Sequence, residues 1–279
     1  MGININEYGA MSGRQILEDN SIVNVADSIY RQGLFDTTNI ATNYTAYSAL
    51  STSMVLYAFS TASDTTETVL KDNTETVTIM TGANTLTLIS TSTADTTLGT
   101  GARSLSIVGL DVNGDQISEI VNLNGTVSAV STLQFSRINR VIVIVAGGGT
   151  APVGTIYIGQ GAIALGKPAT INGVIMPGVG WMRQAIVSTP RNYFPILSEV
   201  TTGAGNGKEV LFNLKTRLSN SGWIDTFTWN TYQQLFQQSF KVPPPYYDKC
   251  DIQLTAKASQ AGTTCMGLIT FQLIHVSLL

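Results

Sequence analysis

Apolar and polar residues alternate at period two through most of this chain, the pattern of half-buried strands. Residues 209–215 set Val210, Phe212 and Leu214 against Glu209, Asn213 and Lys215. Residues 104–107 set Leu105 and Ile107 against serines. Ile117, Val121 and Leu123 return after Asn113-Gly114, a dipeptide suited to the positive φ angles of a tight turn. Asn124-Gly125 marks the next turn, and Asp72-Asn73 an earlier one. CMGLITFQLIHV is almost wholly apolar, as expected of a central strand. DIQLTAKA alternates strictly. Turn signals recurring at roughly 8 to 12 residues predict sandwiches or barrels.

Residues 141–166 read VIVIVAGGGTAPVGTIYIGQGAIALG, with Arg140 before and Lys167 after and no charge between. The length suits a membrane span. The apolar blocks are strand-length and β-branched, however, and Gly147, Gly148, Gly149 and Pro152 break the run. A dinucleotide fingerprint fails as well, because the third glycine position from Gly147 is Pro152 and no helical period follows. The run predicts strand, glycine loop, strand. WNTYQQLFQQSF is ambiguous: Tyr232, Leu235, Phe236 and Phe240 fit helical spacing. Elsewhere only residues 26–34 suggest a helix.

These patterns predict an all-β protein: two β-sandwich, jelly-roll-like units behind a short amino-terminal arm. The arm and connector occupy residues 1–55, the first sandwich 56–165 and the second 166–279. The arm is too small to offset its own ordering entropy, roughly 1 to 2 kcal/mol per residue for the backbone. It is expected to pack on a neighbouring subunit or a shell, with Leu17, Val23, Val25 and Ile29 as interface anchors. The alternative is that it folds back on its own sandwich.

Composition narrows the function classes. Charged residues are 12% and apolar residues 43% of 279, and the net charge is −3. The charged share is about half the usual one. No basic footprint points to nucleic acid. The amino terminus lacks the basic and apolar regions of a signal peptide, and Asn6 stands where a myristoylation signal needs Ser or Thr. So little charged surface favours a homo-oligomer, since closed symmetric assemblies bury such surface.

Candidate chemistry is sparse. His275 shares strand parity with Ile269, Phe271 and Leu273. No Gly-x-Ser-x-Gly elbow occurs, and zinc would need more Cys and His at close spacing. Asp111, Asn113 and Asp115 resemble the start of a calcium loop, but glycine falls at the wrong place and Asn122 stands where a Glu belongs. A hairpin explains them without metal. Trp181, Trp223, Trp229, Tyr246 and Tyr247 are candidates for sugar stacking; core packing is the plainer reading, because Trp223 and Trp229 share a face with Phe227. The expectation is no enzyme, no cofactor and no metal. If residues 251–258 and 265–274 form a hairpin turning near Ala261, Cys250 lies roughly 23 Å from Cys265, and both thiols stay unlinked.

Several stretches resemble virion structural proteins of tailed bacteriophages. A GLD-x-x-G hairpin matches at Gly109 to Gly114, V-x-L-NG at Val121 to Gly125, F-x-RINR at Phe135 to Arg140, and a glycine-rich turn before G-x-I at Gly147 to Ile156. GRQILEDNSIVNVAD is similar to an amino-terminal segment of such proteins. PPPYYDKCDIQLTAKAS is similar to a P-x-x-x-x-EKTDI-x-V-x-A strand, with Asp248 and Cys250 in place of Glu and Thr. The resemblance covers about half the chain. It implies a virion component assembled in the host cytoplasm and a trimer, on either capsid or tail; a capsid decoration or cement protein is the favoured expectation. Its partners would be itself and the major capsid protein or tail proteins, with neither membrane nor nucleic acid. A tail or adaptor protein and a module binding host glycans are the alternatives.

Overall fold

A computed structural model describes residues 51–63, 65–148, 152–205, 208–218, 221–232, 235–239 and 249–275. These residues form an all-β structure of antiparallel sheets, as expected. The anchors Leu17, Val23, Val25 and Ile29 and the helix expected at 26–34 lie outside them, as do Tyr246 and Tyr247. No helix among the described residues is long and apolar enough to cross a membrane.

The strands are β1 Ser51–Ser63, β2 Thr68–Val69, β3 Thr87–Ser90, β4 Ala102–Leu110, β5 Gln116–Asn122, β6 Ala129–Val130, β7 Arg137–Ala146 and β8 Ile156–Ala164. They continue as β9 Lys167–Ile175, β10 Ile186–Ser188, β11 Tyr193–Ala204, β12 Glu209–Leu218, β13 Ile224–Tyr232, β14 Leu235–Ser239, β15 Cys250–Ala258 and β16 Thr263–His275.

One sandwich is inserted into the other. The host sandwich packs the sheet β1-β16-β11-β14 on β10-β15-β12-β13, with β2 beside β15. The inserted sandwich packs β6-β3-β8-β9 on β5-β4-β7. The chain enters and leaves the insert side by side, through a bridge between Lys71 and Gln184 and a bond from Ala185 N–H to the Leu70 carbonyl. Adjacent ends are what allow one fold to sit inside another.

This layout differs from a division at residues 55 and 165. β1 pairs with β16 at the far end of the chain and belongs to the host, whereas β9 pairs with β8 and belongs to the insert. Local alternation identifies a strand but not the sheet it joins.

Each sandwich has its own core. Val210, Phe212 and Leu214 of β12 are fully buried against Leu56, Ile269 and Phe271. Leu105 and Ile107 meet Phe135, Val141 and Ile158 in the insert. β7 and β8 do flank the glycine loop, but they join different sheets. Of the ambiguous 229–240 segment, residues 229–232 and 235–239 are strand: β13 ends at Tyr232 and β14 pairs with β11, while Phe240 lies outside the described residues. Tertiary pairing decides against the helical spacing, with Phe236 stacked on Trp229 at 5.9 Å.

β15 and β16 are not a hairpin. β15 pairs with β10 and β12, and β16 with β1 and β11, so residues 259–262 turn across the edge from one sheet to the other. The two cysteines still form no disulfide and are buried.

Candidate functional site at the junction of the two sandwiches

Asp251 is the second residue of β15, on the polar side of a strand buried on both faces. Its carboxylate is 3% exposed and accepts hydrogen bonds from Arg137 Nε at 2.7 Å, Ser188 Oγ at 2.6 Å and Arg217 Nε at 2.9 Å. Burial pushes this carboxyl up; the bonds from Arg137, Ser188 and Arg217, with the Arg137 charge, outweigh it and hold Asp251 below the ordinary carboxylate range.

Arg137 belongs to the insert, and Asp251 to the host. The Arg137 Nη1 also donates to the Met80 carbonyl at 2.6 Å and the Ser136 carbonyl at 2.8 Å, so the guanidinium is held in one orientation. Two residues on, Asn139 continues the junction. Its Nδ2 donates to the Ser188 carbonyl at 2.8 Å, and its Oδ1 accepts from Ser188 N–H at 2.7 Å. A side-chain amide here copies a rung of a β-ladder.

The 111–115 hairpin makes a third crossing. Only Gly114, at φ +85°, takes the left-handed conformation; Asn113 does not. Asp111 Oδ1 accepts from Asn113 N–H at 2.8 Å and Asp115 N–H at 2.9 Å, which turns the carboxylate onto its own loop. The Gly114 carbonyl then accepts from Arg191 N–H at 2.7 Å, and Arg191 pairs with Asp115 at 2.9 Å. Gly109, at the hairpin's base, faces the junction strand closely: a Cβ there would lie 2.0 Å from the Arg137 carbonyl oxygen. Among the described residues, no three His, Cys, Asp or Glu side chains gather as metal ligands.

Two grooves border the junction. One, of about 300 Å³, runs between the hairpin at 111–114 and Arg217, Lys249 and Asp251. The other, of about 310 Å³, lies between Val108 and Arg140 of the insert and Met54, Val55 and Pro190 of the host.

A second buried carboxylate holds the glycine loop. Asp95 is fully buried and accepts from Ser90 Oγ at 2.6 Å, Ala102 N–H at 2.8 Å, Val153 N–H at 3.0 Å and Gly154 N–H at 2.9 Å. No local motif announces Asp95, because its donors come from three separate stretches.

The aromatic candidates do not converge. Trp229 is buried between Phe212 and Phe227. A bulge between Leu214 and Lys215 shifts the strand register, and Trp223 lies under Arg217 at 4.6 Å instead of beside Trp229. Trp181 is 40% exposed, edge-on to Tyr57 at 6.1 Å. His275 packs edge-on against Tyr193 at 5.1 Å.

No known protein family matches the chain, and no curated protein does. Among solved structures, the chain is similar to the VP2 subviral particle of infectious bursal disease virus, at 10% identity and a TM-score of 0.21, over 81% of this chain and 72% of that one. Structures of the Gt and Gx strains of the same virus match at 10% identity over 81% of this chain, with TM-scores of 0.20 and 0.22. Superposition at this level establishes neither a shared fold nor a shared role.

Proposed function

We propose that this protein is a structural component of a tailed-phage particle, a decoration or cement protein on the capsid. One observation carries the reading. The F-x-RINR stretch and the DI of the carboxy-terminal strand resemble phage proteins separately. In this fold they meet, as Arg137 and Asn139 against Asp251 and Ser188. Gly109 and Gly114 of the GLD-x-x-G stretch frame the same junction. The resembling residues therefore share one physical task, which is to lock two sandwiches into a rigid block. Rigidity suits a protein that stabilises a shell through many weak contacts repeated over many copies.

The reading includes a homo-oligomer, a trimer, bound to the major capsid protein, and assigns the chain no catalytic role. A place on the tail is the alternative within the class. A glycan-binding role has Trp181 as its exposed aromatic. The test is re-addition of purified protein to capsids stripped of it. Saturable binding at a fixed ratio to the capsid protein, with raised heat resistance of the shell, is expected. No binding, with binding to tails or glycans instead, would overturn the decoration role.

A further inference from the structure

β1 is an edge strand of thirteen residues with no charged side chain. Edges of this kind are normally blunted by charge, proline or a covering segment, because their unpaired N–H and C=O groups recruit other strands. Among the described residues, no strand pairs with β1 on the side away from β16. At its centre three outward side chains are apolar: Val55 is 48% exposed, and Tyr57 and Phe59 are half-buried.

Across the second junction groove stands the outer face of β5-β4-β7. There Val108 pairs with Arg140, and Ser106 lies between Ile120 and Ile142. Trp181 bridges Ile142 and touches Tyr57, which joins the two walls into one trough. The cations beside it are Arg140 and Arg183, the latter stacked 4.7 Å over Trp181.

Fifty residues precede Ser51, and β1 brings Met54 and Val55, three and four residues further on, into this trough. Those fifty hold five acidic residues, among them Glu18, Asp19 and Asp27, and two arginines, so they account for the whole net charge of −3. The remainder of the chain is neutral. Within the arm, Val23 and Val25 alternate with Asn24, as in a strand that adds to an open edge. Residues 36–50, fully extended, reach at most about 50 Å, enough to double back along β1. A tether this short keeps the arm at an effective concentration of about millimolar over its own trough.

We propose that residues 15–35 of the arm dock in the trough of their own chain, along the open edge of β1, with Leu17, Val23, Val25 and Ile29 as apolar anchors and the arm's carboxylates toward Arg140 and Arg183. The assignment stands independently of the virion reading. It places the arm on its own chain, whereas the sequence suggests a neighbour or shell.

The test uses the full chain carrying Val23→Cys and Val55→Cys, prepared as an equal mixture of light and heavy isotope forms and treated with a short bis-maleimide. Light–light and heavy–heavy cross-linked peptides are expected, without mixed pairs. Mixed pairs, or no cross-link between the two positions, would overturn the proposal. In a second measurement, Val55→Asp should speed tryptic cleavage after Arg14 and Arg31 about tenfold, as expected for a loss near 1.4 kcal/mol of local protection, with the thermal transition unchanged. An unchanged cleavage rate would equally contradict docking.

Discussion

Arg137 and Asp251 are 114 residues apart in sequence and 2.7 Å apart in the fold. One belongs to the inserted sandwich and the other to the host, so this pair fixes how the two halves sit. Replacing Asp251 by alanine leaves Arg137 and Arg217 beside each other without their shared counter-charge. The expected loss is about 3 to 5 kcal/mol of unfolding free energy in urea titration. Arg137→Ala should cost less, because Ser188 and Arg217 still bond the carboxylate. The double variant should show a coupling of about 0.5 to 3 kcal/mol. Strict additivity would mean that the pair does not join the units.

Asp95→Ala is expected to weaken the insert selectively. It strands Ala102, Val153 and Gly154 N–H groups together with Ser90 Oγ. Unmet buried donors cost roughly 1 to 3 kcal/mol each, and relaxation recovers part of that. A loss of about 3 kcal/mol in thermal unfolding, with faster amide exchange at Ala102 and Gly154, is the expected outcome. Uniform exchange across both sandwiches would contradict it.

Acid should destabilise the protein through Glu67 and Asp251. Burial pushes Glu67 up, but hydrogen bonds from Asn213, Lys215 and Thr255 and the Lys215 charge lower it from 4.5 to about 2. Asp251 also lies below its ordinary 3.8. Carboxyls lowered by folding add stability above their unfolded values, and that stability is lost as pH falls through the folded ones. Unfolding free energy should therefore drop between about pH 4.5 and 2, and Glu67→Gln should flatten the slope there. An unchanged slope in the variant would exclude Glu67 as a source.

Much of the strand pattern is legible in the sequence, because burial alternates locally. Val210, Phe212 and Leu214 all point inward as read. Sheet membership is not legible. β15 and β16 follow each other with a turn between them, yet an edge crossing sends them to opposite layers. The start of β1 looks like the end of a connector, since its partner lies in the last strand. At the site, Arg137, Asn139, Gly109 and Gly114 stand out through resemblance, but their meeting with Ser188 and Asp251 depends on the insertion, which no local pattern encodes. Asp95 has no signature for the same reason.

Cys250 and Cys265 are 2% and 1% exposed, in the host core. Thiol reactivity requires an accessible thiolate. A thiol reagent should therefore label the native protein only as fast as it unfolds, and label both positions once it is denatured. Rapid labelling of the native protein at either position would show that the host core opens locally.

The proposed role is that of a structural protein of a phage particle. A cryo-electron microscopy map of the intact purified particle tests it most directly. Density for the paired sandwiches is expected, repeated in symmetry-related copies on the outer capsid surface, with the insert and host in the fixed orientation set by Arg137 and Asp251. A complete map without that density on capsid or tail, with the protein absent from the particle by mass spectrometry, would contradict the account.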